Sequence, residues 1–160
     1  MNQAITTDQR ILNAAQQLLQ TRGYNGFSYK DIAADVNIKT SSIHYHFSTK
    51  QILVEQLFDR YMTQFFALLD DISRREGSSL GRLKALCDIF EQSASSRKFC
   101  MCGSLAVVHY AIPEGVNVKV SLFAEKSKAW IQQVLEQGVQ SGEIKLRTST
   151  SAHATVLFSA

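Results

Sequence analysis

Hydrophobic positions recur at helical spacing through almost the whole chain. Ile11, Ala15, Leu18 and Leu19 fall on one face, the period of an amphipathic helix. Thr6, with Gln9 three residues later, forms the capping-box pair that opens this helix, and Gly23 supplies a left-handed residue to close it. Ser28 and Asp31 open a second, short helix in which Ile32, Ala33 and Val36 point inward. Asn37 follows, the non-glycine residue best suited to a left-handed turn. A third short helix runs through Ile43 to Phe47, so the first part of the chain reads helix, helix, tight turn, helix.

The pattern then lengthens. Ser48 and Gln51 form a second capping-box pair, and Ile52, Leu57, Phe58, Phe65, Leu69 and Ile72 carry a stripe to about Arg75. Gly77-Ser78-Ser79 breaks it. Leu80, Leu83, Leu86 and Phe90 predict a fifth helix fading in the polar residues 92–98, and a short sixth spans Gly103 to about Tyr110. Pro113 stops the sixth. Val116, Phe123, Trp130 and Val139 mark a long seventh helix ending at Gly142, and residues 148–151 cap an eighth that runs into an apolar stretch with no stop signal. Phe65, Phe66, Phe90, Phe99, Phe123 and Trp130 are the aromatic side chains expected inside the body, some of them lining a ligand cavity.

Composition narrows the reading. One proline and eight glycines among 160 residues disfavour a turn-rich β protein, and 45% hydrophobic content is ample for a packed core. The fold class expected is all-α. A formal net charge of +3 is too mild for a non-specific nucleic-acid coat. Residues 1–50 hold five basic and three acidic side chains, so any nucleic-acid role must rest on a local motif. Met1–Arg10 lacks the apolar core of a signal peptide, no stretch approaches a membrane span, and three cysteines fit no disulfide framework. A cytoplasmic protein with no membrane partner is expected.

Residues 28–50, SYKDIAADVNIKTSSIHYHFSTK, carry the chemistry. A helix-turn-helix lays its second helix in the major groove of DNA, with small or polar residues at the helix start and aromatic or basic groups near phosphate. Thr40, Ser41 and Ser42 meet the first requirement; His44, Tyr45, His46 and Lys50 meet the second. Lys50 adds a clue, because a cation at a helix N-terminus opposes the dipole unless an anion such as phosphate sits there. His44 and His46 are poor metal partners for each other, since an i, i+2 pair on a helix points about 200° apart. Neither a metal nor a cofactor is expected.

Ile32-Ala33, Ile38, Ser42-Ile43, Tyr45-His46-Phe47 and Lys50, with Arg10-Ile11-Leu12, Gly23-Tyr24 and Phe27-Ser28 upstream, resemble the N-terminal domain of TetR/AcrR-type transcriptional repressors over about residues 7–58. The resemblance implies a helix-turn-helix head at 1–47 and a helical ligand-binding and dimerisation body at 48–160. It implies a homodimer on double-stranded operator DNA, released by a small-molecule effector. Carried over residue by residue, it puts Thr40, Ser41, Ser42 and His44 at bases or nearby sugars, and Tyr45, His46 and Lys50 at phosphates. Ser28 and Tyr29 cap the second helix and lie near the DNA backbone. This chain departs from the family pattern at Asn37 and Ser41, often glycine in relatives, and at His44, usually tyrosine. Lys39 stands where a capping serine is common, which assigns the cap to Thr40. Relatives continue through a ninth helix, so the sequence is expected to be C-terminally incomplete.

Cys100-Met-Cys-Gly-Ser-Leu-Ala106 resembles a Cys-x-x-Gly-x-x-Ala patch in the sixth helix of one branch of the family, which includes regulators of reactive electrophiles. Cys100 and Cys102 are therefore candidates for redox or electrophile sensing, through a thiol pKa lowered by a helix start and by Arg97 or Lys98. Small buried hydrophobes are the plainer alternative. No acid, orienting group or oxyanion loop accompanies either thiol, so the chain is not read as an enzyme. The rival to a regulator is a helical interaction scaffold that has lost specific DNA binding, motivated by Asn37, Ser41 and His44.

Overall fold

A computed structural model describes residues 5–159, and every regular element among them is helical. The helices are α1 (Thr7–Arg22), α2 (Tyr29–Val36), α3 (Thr40–His46), α4 (Lys50–Arg75), α5 (Ser79–Ser95), α6 (Met101–Ala106), α7 (Glu114–Gln140) and α8 (Thr150–Ser159), with single 3-10 turns at Tyr24–Gly26 and His109–Ala111.

The start of α1 forms as its sequence dictates. Thr6 Oγ1 accepts from the Gln9 N–H, and the Gln9 side chain accepts from the Thr6 N–H, satisfying two donors that a helix start leaves open. Gly23 closes the helix at φ +73°, and Asn37 closes α2 at φ 56°, ψ 55°. Arg10 reaches from α1 to the Val36 carbonyl at 2.6 Å, holding the end of α2.

Four local expectations give way. Thr49, one residue later than Ser48, caps α4 by accepting from the Ile52 N–H at 3.2 Å, and Gln51 turns instead to Glu55. Lys39 is the N-cap of α3 with no side-chain cap, so Thr40 is the first helical residue and not the cap. The sixth helix starts earlier and ends sooner than its pattern suggests. Cys100 takes the N-cap and the β-branched pair Val107-Val108 follows its last turn. Finally, Phe90 and Phe99 stand exposed, Phe99 at 69%.

The described chain divides into two compact units. One runs up to Tyr61 and takes in Ser96–Val120; the other comprises Met62–Ser95 and residues from Ser121 onward. In the first, Ile11, Leu19, Ile32, Ile43, Phe47 and Phe58 are sealed from solvent. The main-chain N–H of Phe99 donates to the Gln20 carbonyl (3.0 Å), and Gln20 Nε2 donates back to the Phe99 carbonyl (3.2 Å). Arg60 of α4 holds Asn13 and Gln16 of α1, each at 2.9 Å.

In the second unit, Phe123 is the hub of an aromatic cluster, with ring centroids 4.9 Å from Phe65 and 5.6 Å from Phe66. Such separations suit tilted ring pairs, each contributing about 0.5–1.5 kcal/mol beyond area burial. Trp130 Nε1 donates to Ser73 Oγ at 3.1 Å, so this large ring keeps its polar atom satisfied. The start of α5 is closed from a distance: the Glu143 carboxylate accepts from the Ser79 and Leu80 N–H groups at 2.8 and 3.0 Å. No described helix is long and apolar enough to cross a membrane.

Candidate nucleic-acid interface

α3 is anchored by its apolar side. Ile43 and Phe47 are buried, and the neighbouring positions Ser41, His44 and Tyr45 are consequently turned outward. Tyr45 is 85% exposed, an unusual position for a large aromatic side chain in a folded unit. Thr40 and Ser42 are partly covered in the first turn. The exposed side of this helix thus offers hydroxyls near its start and aromatic rings near its end, which suits base edges and backbone respectively.

The first turn of α2 is fixed beside it. The Asp31 carboxylate accepts from both the Ser28 N–H (2.8 Å) and the Ser28 hydroxyl (2.6 Å), and these bonds hold its pKa below the ordinary carboxylate value. The Tyr29 ring packs against His44 with centroids 4.7 Å apart, and its hydroxyl donates to the Phe47 carbonyl at 2.8 Å. Burial, then the neighbouring Tyr24, pushes the Tyr29 phenol up to about 12. His44 Nδ1 lies 3.3 Å from the Ser48 carbonyl.

Two of the residues placed at phosphates by sequence are engaged within the protein. His46 Nδ1 sits 2.5 Å from Asp8 Oδ1, bracing the end of α3 on the start of α1. Lys50 Nζ donates to the Tyr24 and Phe27 carbonyls. Main-chain carbonyl oxygens thus take two of the three N–H groups of its ammonium. Ser28, Tyr29, Thr40, Ser41, Ser42, His44 and Tyr45 lie on α2, its cap and α3. His46 and Lys50 brace this region from its edges. Asp8 went unnoticed in the sequence, and Tyr24 and Phe27 entered only as part of the resemblance, because the contacts they make are remote along the chain. Exposed Lys30 and Lys39, on α2 and at the cap of α3, are further cations on these elements.

The cysteines separate. Cys87 is exposed, Cys100 half-buried and Cys102 buried. Burial, then Cys100, pushes the Cys102 thiol up to about 12, opposite to the lowering that a sensing thiolate needs. Burial also raises the phenol of Tyr61, with Cys100 the next contributor. Among the described residues no group of three or more His, Cys, Asp or Glu side chains is gathered to hold a metal.

Three short helices ending in an outward-facing α3 define a helix-turn-helix protein. The family model described as "Bacterial regulatory proteins, tetR family" matches residues 11–57, from mid-α1 into α4. A TetR-family transcriptional regulator from Agrobacterium tumefaciens has a solved structure 32% identical to this chain. It superposes with a TM-score of 0.90 over 93% of this chain and 80% of its own. A TetR regulator from Legionella pneumophila is 33% identical, with a TM-score of 0.87 over 99% and 84%. The chain belongs to the TetR family. IcaR of Staphylococcus aureus, the negative transcriptional regulator of the icaADBC biofilm operon, is 43% identical over 47 residues, 29% of this chain and 25% of its own length. Coverage of the curated relatives varies, from 25% of IcaR to 78% of a Lactococcus lactis HTH-type transcriptional regulator that is 25% identical over 94% of this chain.

Proposed function

We propose that the protein is a sequence-specific DNA-binding transcriptional repressor that acts in the cytoplasm as a homodimer on a two-fold operator. The observation carrying this reading is the outward face of α3, where Ser41, His44 and Tyr45 are exposed while Ile43 and Phe47 lock the helix in place. Thr40, Ser41, Ser42 and His44 meet bases or adjacent sugars. Tyr45, His46, Ser28 and Tyr29 lie along the backbone, which positions the helix without specifying sequence. Residues 1–47 form the reading head and the later helices the dimerisation and effector-binding body. The match to IcaR, a negative regulator, supports repression over activation.

Release follows from differential binding: a small molecule favours a body conformation in which the two heads no longer fit successive grooves. The apolar helical body, with its packed cluster of Phe65, Phe66 and Phe123, is the kind of interior in which such an effector would be held.

The test is selection of fragments from the source genome by the purified full-length protein at moderate salt, beside a Ser41→Glu/Tyr45→Ala variant. Recovery of one palindromic site by the parent alone supports the reading. Recovery of nothing, or of the same fragments by the variant, defeats it and leaves the interaction scaffold as the better description.

A further inference from the structure

The last turn of α1, like every helix end, leaves main-chain carbonyls without partners inside the helix. The Gly23 N–H takes the Leu19 carbonyl, and the Gln20 carbonyl accepts from the N–H of Phe99, 79 residues further on. The Gln20 side chain is buried, at 6% exposure, and needs a polar partner of its own. Its Nε2 donates to the Phe99 carbonyl at 3.2 Å. One residue of α1 thus grips both main-chain groups of Phe99, while Phe99 itself remains 69% exposed. The chain reaches this clamp through Arg97 at φ 54°, a left-handed conformation that is costly for a residue with a side chain. A strained path of this kind persists only where its surroundings hold it.

Other anchors along α1 reach the elements that carry the candidate interface. Asp8, in its first turn, meets His46 at the end of α3, and Arg10 holds the Val36 carbonyl at the end of α2. Asn13 and Gln16, in its middle, accept from Arg60 of α4. With 16 residues, α1 is a rod about 24 Å long. A shift of Phe99 at one end is therefore delivered through a rigid element to the ends of α2 and α3 at the other.

We infer that Gln20 is a positioning residue for operator binding: its clamp on the Phe99 main chain makes α1 a lever through which residues 96–100 set the placement of α2 and α3. This rests on the operator-binding reading above and deepens it, giving regulation a route into the reading head. Such coupling is reciprocal, so DNA that fixes α3 must in turn steady Phe99.

The test uses the full chain and the operator fragment recovered by selection. Amide hydrogen exchange is followed by mass spectrometry on a peptide containing Phe99. The reference is a peptide containing Leu80, whose N–H is held by the Glu143 carboxylate. Bound operator is expected to slow exchange in the Phe99 peptide on the order of tenfold, an ordinary coupling between sites, and to leave the Leu80 peptide unchanged. Equal slowing in both peptides marks general stabilisation by a bound ligand, and no slowing at Phe99 marks absence of coupling. Either result overturns the inference.

Gln20→Met keeps the side-chain length and the main-chain bond but deletes the Nε2 donor. The variant is expected to bind operator on the order of tenfold more weakly, comparable to losing one hydrogen bond, and to lose operator protection at Phe99. No charge is removed, so the salt dependence of binding is expected to stay at the parent value. Phe99→Ala removes an exposed ring and leaves the clamp in place, so it is expected to bind as the parent does. A Gln20→Met protein that retains the parent's affinity or its operator protection overturns the inference. So does a loss in Phe99→Ala as large as that in Gln20→Met. The exchange measurement on the parent decides the matter if Gln20→Met fails to fold. A parent that selects no DNA sinks the functional reading and this inference with it, a result distinct from loss of the inference alone.

Discussion

The Tyr29 hydroxyl donates to the main-chain carbonyl of Phe47 at 2.8 Å, tying the first residue of α2 to the residue just past the end of α3. One side chain reaching across 18 residues of sequence thus adds a polar tie between α2 and α3 to the packing of buried Ile32, Val36 and Ile43.

Tyr29→Phe keeps the ring against His44 and deletes that bond. The variant is expected to unfold about 1 kcal/mol more easily in urea at neutral pH. The difference has a pH signature. Tyr29 titrates near 12 in the folded protein and at the ordinary 10.0 when unfolded. Its contribution is therefore complete below 10 and declines as pH rises toward 12. The gap between parent and variant should narrow over that window, and a gap that widens there contradicts the assignment.

Tyr45→Ala removes a side chain that is 85% exposed. Stability should change by less than about 0.5 kcal/mol, while operator affinity falls on the order of tenfold, as stacking or hydrogen bonding along the backbone is lost. Because the side chain is neutral, the salt dependence of binding should not change. Parallel urea melts and titrations separate the two effects, and equal losses in both would make Tyr45 a structural residue.

Alkylation ranks the cysteines. Exposed Cys87 should react first with iodoacetamide at pH 8, whereas Cys102, with its thiol near 12, should stay unmodified until the chain is unfolded. Peptide mapping after timed labelling gives the order. Rapid labelling of native Cys102 would restore it as a sensing candidate.

Glu143→Gln tests the remote closure of α5. Hydrogen bonds from the Leu80 and Ser79 N–H groups hold the Glu143 carboxyl below its ordinary 4.5. Its stabilising effect is thus present above that value and lost as pH falls through the lower folded one. The variant should melt at a lower temperature than the parent at pH 7, with the two converging toward pH 3. A constant offset at every pH would place the effect elsewhere.

Local rules made most of the fold readable. The Thr6 and Gln9 pair, the left-handed Asn37 and the unbroken stripe from Ile52 to Ile72 each specify their element without help from distant residues, and α4 ends at Arg75 as its pattern implies. Positions decided by tertiary neighbours were not readable. Nothing adjacent to Lys50 announces that it will fold back on Tyr24 and Phe27, or that His46 will meet Asp8. The cap of α4 was displaced by a single residue, because Ser48 and Thr49 are both competent and only the final path of the chain chooses between them. Exposure of α3 was legible from its hydroxyl-rich start; the inward turn of its basic flank was not.

The reciprocal hydrogen bonds between Gln20 and Phe99 place residues 96–120 in the same compact unit as α1, α2 and α3. Buried Met101, Leu105 and Val116 come from that late segment. A chimeric regulator spliced at residue 47 or 61 therefore carries a head stripped of part of its own interior. Specificity is better transplanted by rewriting the outward positions of α3 within the intact chain, leaving every splice point untouched.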